Sequence, residues 1–194
     1  MKFIHTIVDT SYDCTAREPN RSPVFVLNKL GEEICELSDV FHGIGMPSEP
    51  LNGEVADVII SAIDLLYIMD FNDQQLHGCM TKEELADSVQ TRLGMCSDCS
   101  PEYLEEDWFR LIDRDPQKHL NLIYHYHGRI IRLCNQPYRS QDVLERLVAN
   151  LITHVARMAC GEGAVRGCSL MATRIKVDHT FNHKIEKWRT KFGL

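Results

Sequence analysis

A chain of 194 residues, 44% hydrophobic and 25% charged, is long enough to bury one core and has an ordinary globular composition, which excludes low-complexity and fibrous classes. Its net charge of −7, with no run of Lys or Arg, argues against a nucleic-acid partner. The first residues form no apolar leader and acids interrupt every candidate membrane segment, so a cytoplasmic protein with no membrane partner is expected.

Phe3, Ile4, Ile7 and Val8 predict a short first element, followed by a polar loop over residues 9–22 in which Arg17 and Arg21 could reach a phosphate. Ser22-Pro23 is a strong helix start, with Ser as N-cap and Pro at the first helical position. From there Leu27, Leu30, Ile34, Leu37 and Phe41 recur at 3-4-3-4 spacing, the mark of an amphipathic helix. Glu33 and Glu36 lie along one edge of that apolar stripe, and Glu32 points away. Gly43, Gly45, Pro47 and Pro50 then mark a loop, and Asn52 is placed to cap a second helix running to about Asp70.

That second helix is apolar on nearly all sides: Val55, Val58, Ile59, Ile60, Ala62, Ile63, Leu65 and Leu66 leave almost no polar face, as in a buried helix. Glu54, Asp57, Ser61 and Asp64 nevertheless fall at i, i+3, i+7 and i+10, a narrow polar stripe down an apolar cylinder. A short loop makes the two helices antiparallel neighbours, so the pairs Glu33/Glu36 and Glu54/Asp57 are expected to face each other. Two unpaired carboxylates ~5 Å apart at an effective dielectric of about 20 repel by roughly 3 kcal/mol. Lys29 can neutralise one acid and nothing near it can neutralise the rest. An all-oxygen cluster of this kind suits a hard divalent ion, Mg2+ first and Mn2+ as substitute. The competing reading is a pair of solvated acidic helix faces. It suits Glu32, Glu33 and Glu36 taken alone better than it suits Glu54 and Asp57.

The phrase Glu32-Glu33-x-x-Glu36, followed after the loop by Glu54-x-x-Asp57, resembles the signature of the MazG-like, all-alpha nucleoside triphosphate pyrophosphatases. Lys29-Leu30-Gly31 is similar to that family's lead-in, and the resemblance covers residues 23–70 with a weaker echo near the C-terminus. It implies cleavage of a nucleoside triphosphate between the α- and β-phosphates, with deoxynucleotides the commoner substrates and a homo-oligomer, dimer or tetramer, as the assembly. The acids Glu33, Glu36, Glu54 and Asp57 would hold Mg2+; Glu32, Glu33 and Glu36 are the candidate catalytic acids, with Glu32 chosen among the uncommitted acids as general base although nothing in the sequence fixes the base. Lys29, Asp64, Lys184, Lys187 and Arg189 are the candidates for contact with substrate.

The rest of the chain carries less chemistry. Thr81-Lys-Glu-Glu84 is a capping box opening a helix to about Leu93, and Ser100-Pro-Glu-Tyr103 opens another to about Ile112. Cys96-Ser-Asp-Cys99 is the only C-x-x-C among eight cysteines. A zinc site would need two more ligands, His77 and Cys79 being nearest, and reduced cysteines beside a core are the preferred reading. Helices over 120–135 and 142–160 form a second hairpin. Gly128-Arg-Ile-Ile-Arg-Leu133 echoes the first acidic phrase with Arg129 and Arg132 where acids would stand, which fits either a degenerate repeat without the acids, its arginines able to face a triphosphate, or simply a second amphipathic hairpin. Residues 161–167 read as a glycine-rich break without the Gly-Lys-Ser/Thr ending of a P-loop. The basic tail, 178–194, is similar to the family's C-terminal segment except that Trp188 replaces an Asn.

The expectation is therefore an all-α bundle forming one domain over 1–194, built on an antiparallel helix pair that carries an acidic metal site. It divides into an acidic hairpin at 23–70, an insertion at 71–117, a second hairpin at 119–160 and the basic tail. A diiron carboxylate bundle is disfavoured because no His stands three residues after a key Glu, and an HD-type hydrolase because Asp178-His179 is in reverse order. The alternative to an enzyme is a non-catalytic metal-binding helical module, or an inactive homologue acting through a protein partner.

Overall fold

The computed structural model describes residues 3–18, 20–45, 49–74, 80–97, 99–110 and 112–194, with only the backbone described at 71–74. Among these residues the chain is all-helical: α1 (Phe3–Arg17), α2 (Pro23–His42), α3 (Leu51–Gln74), α4 (Lys82–Cys96), a 3-10 turn at Pro101–Tyr103, α5 (Leu104–Trp108), α6 (Pro116–Cys134), α7 (Gln141–Val165) and α8 (Leu170–Lys191).

The apolar cylinder of α3 takes the centre, touching α1, α2, α7 and α8, because only a central position hides a helix that is apolar all round. The hairpin α2/α3 stacks on the hairpin α6/α7, mainly through α3 and α7, while α1, α4 and α8 close the remaining sides. Leu30, Ile34 and Leu37 on α2 are fully buried against this core, each worth roughly 1.5–3 kcal/mol of burial. On α2 the Ser22 hydroxyl accepts from the Phe25 amide at 3.1 Å, and Gly43 ends the helix at φ 65°, a left-handed turn that only glycine adopts without strain. Thr81 and Glu84 form the capping box expected for α4.

Four expectations need correction. The polar stretch after Val8 is helix rather than loop as far as Arg17. Thr10 and Thr15 donate back to the carbonyls of Thr6 and Ser11 at 2.8 Å, so their hydroxyls are satisfied inside the bundle. Asn52 lies inside α3, whose first turn forms at Leu51 over the Pro50 carbonyl, 2.7 Å from the Gly53 amide. The helix expected to reach Ile112 stops at Trp108, where the chain turns to sink Phe109 fully into the core. Meanwhile the Glu105 carboxylate accepts from the Phe3 and Ile4 amides at 3.1 and 2.7 Å, tying α5 to the free N-terminus of α1.

The fourth concerns the glycines after Cys160, which do not break α7. A Cβ at Gly161 would stand 2.3 Å from the Asp113 carbonyl oxygen, and one at Gly163 2.5 Å from the Thr173 hydroxyl. These glycines permit close approach of neighbouring segments, and the chain reverses at Gly167, φ 76°. The tail accordingly belongs to a helix that starts well before it, at Leu170.

Two buried polar clusters hold the elements together. Arg92 of α4 bridges Asp70 of α3 and Glu145 of α7, the latter at 2.8 Å. His119 of α6 meets His154 of α7 with Nδ1 atoms 2.9 Å apart, and burial lowers both imidazole pKa values, His154 to about 4.

Candidate metal centre

All four members of the polar stripe on α3 line one cavity of about 630 Å³, together with Glu33, Glu36 and Lys29 of α2 and with Lys184, Lys187, Trp188 and Lys191 of α8. The stripe on α3 thus faces the acid-bearing edge of α2, and α8 lies across both. Glu33, Glu36 and Glu54 each place a carboxylate oxygen within 4.8 Å of the others. The acids meet in opposite order along the two helices. Asp57 acts on the charge of Glu33, while Glu36 acts on that of Glu54.

The environment of these acids is hostile to charge. Burial raises the Glu33 carboxyl to about 7 even though Lys29 donates to it at 2.7 Å. Burial, aided by Asp57 and Glu36, raises Glu54 to about 7. Glu54 is 3% exposed, and its Oε2 is buried without a hydrogen-bond partner. Native proteins tolerate few such atoms, so this oxygen wants either a proton or a cation. Two buried carboxylates, Glu33 and Glu54, and the exposed Glu36, with Lys29 as the one cation paired to them among the described residues, are an all-oxygen donor set that a hard divalent ion takes, and the residues fit one.

Asp57 stands differently from its expected companions. It lies in the cavity but makes its ion pair with Lys184, which also holds Glu49; burial raises its pKa against the pull of that lysine. Asp64, expected to touch substrate, lines the cavity, pairs with Arg21 and accepts from Ser11 at 2.8 Å. Arg21, expected to reach a phosphate, also lines the cavity; its guanidinium pairs with Asp64 and sits 5.9 Å from the Trp188 ring centroid, a cation–π distance.

Of the remaining candidates, Lys187 lines the cavity and pairs with Glu49 at 3.4 Å. Glu32 and Arg189 are not among its walls. Glu32 is exposed and paired with Lys29 at 3.2 Å, which is what a helix residue pointing away from the apolar stripe does. Arg129 and Arg132 are exposed on α6 and line none of this cavity. No metal-competent cluster other than the Glu33 group occurs among the described residues. Cys99 donates to Asp107 at 2.8 Å, whereas His77 and Cys79, the suggested zinc partners, lie outside the described residues.

Sequence reasoning missed Glu49, Phe25 and Lys191, all in the cavity wall. Glu49 comes from the loop, where no periodicity points to a face. Phe25 left a signal: a large aromatic off the apolar stripe of α2, 62% exposed, on the same helix as the acids. Lys184, Lys187, Trp188 and Lys191 recur at helical spacing, so their shared face was open to view once the tail was assigned to a helix. Comparison of the chain with family models, with characterised proteins and with solved structures found no match.

Proposed function

We propose that this protein is a Mg2+-dependent hydrolase of nucleoside triphosphates, most readily deoxynucleotides, releasing pyrophosphate and a monophosphate. The observation that carries the reading is the division of charge across a single cavity. Carboxylates of α2 and α3 form one wall, and Lys184, Lys187 and Lys191 of α8 form the other. A polyanion that travels with a divalent ion is the ligand class needing both walls at once. The cavity is also of the size used for small-molecule sites, which run from about 300 to 1,000 Å³. The resemblance of the Glu32–Asp57 pattern to the MazG-like pyrophosphatases supports the same reading and assigns the α–β bond.

In this reading the antiparallel α2/α3 pair is the frame of the metal site, with Glu33, Glu36 and Glu54 as the ligands already assembled and Asp57 as the fourth. When bound, the ion supplies charge neutralisation for the phosphates and lowers the pKa of a nucleophilic water. The side chains of α8 do the rest of the binding. Lys187 and Lys191 give the phosphates mobile ammonium groups, and Phe25 and Trp188 offer flat apolar surface to a base. Glu32, the expected general base, is exposed and paired with Lys29 and is not among the residues lining the cavity. The hairpin α6/α7 covers α3 and carries no metal-competent acid cluster among the described residues, so one chain supplies the apolar packing that a shorter relative would draw from a second copy.

The test is a panel of nucleoside and deoxynucleoside triphosphates with Mg2+, scored for pyrophosphate against orthophosphate. Pyrophosphate as the product is expected. Orthophosphate alone would overturn the α–β assignment, and no product from any nucleotide would favour the non-catalytic module.

A further inference from the structure

We propose that Lys184 is a resident cation of the acid cavity, competing with the divalent ion for Asp57. The inference rests on the metal-site reading above and adds a residue that governs access to it. Lys184 is 8% exposed, and its ammonium contacts Glu49 and Asp57 together. A Cβ placed at Gly53 would lie 3.7 Å from Lys184 Cε. Among the described residues, the ion pairs of Asp57 and Glu49 run only to Lys184 and, for Glu49, to the largely exposed Lys187.

The cavity is therefore divided. Glu33, Glu36 and Glu54 have converged and leave Glu54 Oε2 buried without a partner, the independent sign that this half awaits a ligand. Asp57, one turn along α3 from Glu54, is not part of that convergence, because an ammonium already satisfies it. An ion that recruits Asp57 must displace Lys184 or sit beside a like charge. A lysine is suited to such a role. Its four-carbon stem lets the ammonium swing while the stem stays packed, and the ammonium has a further N–H beyond the two that Glu49 and Asp57 occupy. A triphosphate offers that ammonium denser negative charge than one aspartate does, so substrate would draw it off Asp57 and complete the ligand set.

The experiment is Mn2+ binding to the nucleotide-free protein, followed by loss of the free-ion electron paramagnetic resonance signal. Lys184→Met and Lys184→Gln should bind Mn2+ about tenfold more tightly than wild type, the gain expected where a competing state leaves the competent one populated about a tenth of the time. Lys184→Arg, which keeps the charge, should bind like wild type. Two neutral variants of different polarity guard against one failing to fold, with far-ultraviolet circular dichroism as the check. Equal or weaker binding by the neutral variants overturns the role of Lys184. Adding Glu54→Gln to Lys184→Met should remove the gain; if Mn2+ binding survives Glu54→Gln unchanged, the metal-site reading itself fails.

Discussion

Replacing Glu54 by Gln should make the metal-free protein more stable at pH 8, an outcome opposite to that of most substitutions in a core. Glu54 is buried, its Oε2 has no partner, and its carboxyl titrates at about 7 rather than the ordinary 4.5 because burial and the charges of Asp57 and Glu36 oppose ionisation. A carboxyl whose pKa is higher in the folded chain binds more protons there between the two values. Folding stability is then fully present below 4.5 and is lost as pH rises to 7. The gap between those values corresponds to about 3 kcal/mol for the ionised form. Neighbouring acids share part of that cost, so a gain of about 2 kcal/mol is expected for the amide, or a Tm rise of about 4–8 °C in a chain of this size. At pH 4.5 the gain should fall below about 0.5 kcal/mol. Urea unfolding followed by circular dichroism, in buffer stripped of divalent ions, measures both values. Millimolar Mg2+ should then stabilise the wild type and not Glu54→Gln. Loss of stability in Glu54→Gln at pH 8, or a gain as large at pH 4.5, would refute the reasoning.

Two further outcomes follow from the same geometry. Glu36→Gln and Asp57→Asn should each abolish nucleotide turnover while leaving circular dichroism unchanged, because Glu36 leaves a crowded group of acids and the loss of the Asp57 charge still leaves Lys184 paired with Glu49; full activity in either would mean the site lies elsewhere. Gly161→Ala should cost roughly 1–3 kcal/mol, read as a lower urea midpoint, since its Cβ would meet the Asp113 carbonyl oxygen at 2.3 Å and backbone on both sides must shift. An unchanged midpoint would mean that this approach is looser than the structure shows.

The glycines and the tail show where reading the sequence falls short. A run such as Gly161-Glu-Gly163 carries the same letters whether the chain turns there or two segments press together, and only the approach of Asp113 and Thr173 distinguishes the cases. The polar half of α1 misled for a related reason. Thr10, Ser11 and Thr15 read as surface until their backbone partners and Asp64 are in place to receive their hydrogens. Conversely the helix starts at Ser22 and Thr81 were legible because capping chemistry is local, complete within four residues.

What the sequence determined by itself is the all-α character and the pairing of an acid-edged α2 with an apolar α3; of the four acids it expected to converge, Glu33, Glu36 and Glu54 do so. Those follow from helical periodicity, which maps spacing onto a face without reference to the rest of the molecule. Only the tertiary structure decided that Asp57 belongs to Lys184, that Asp64 belongs to Arg21 and that Glu32 stands outside. Which cation answers a given acid depends on the residues brought beside it by α8 and by the segment before α2. Coulomb attraction and shared burial act across space, and no spacing along one helix records them.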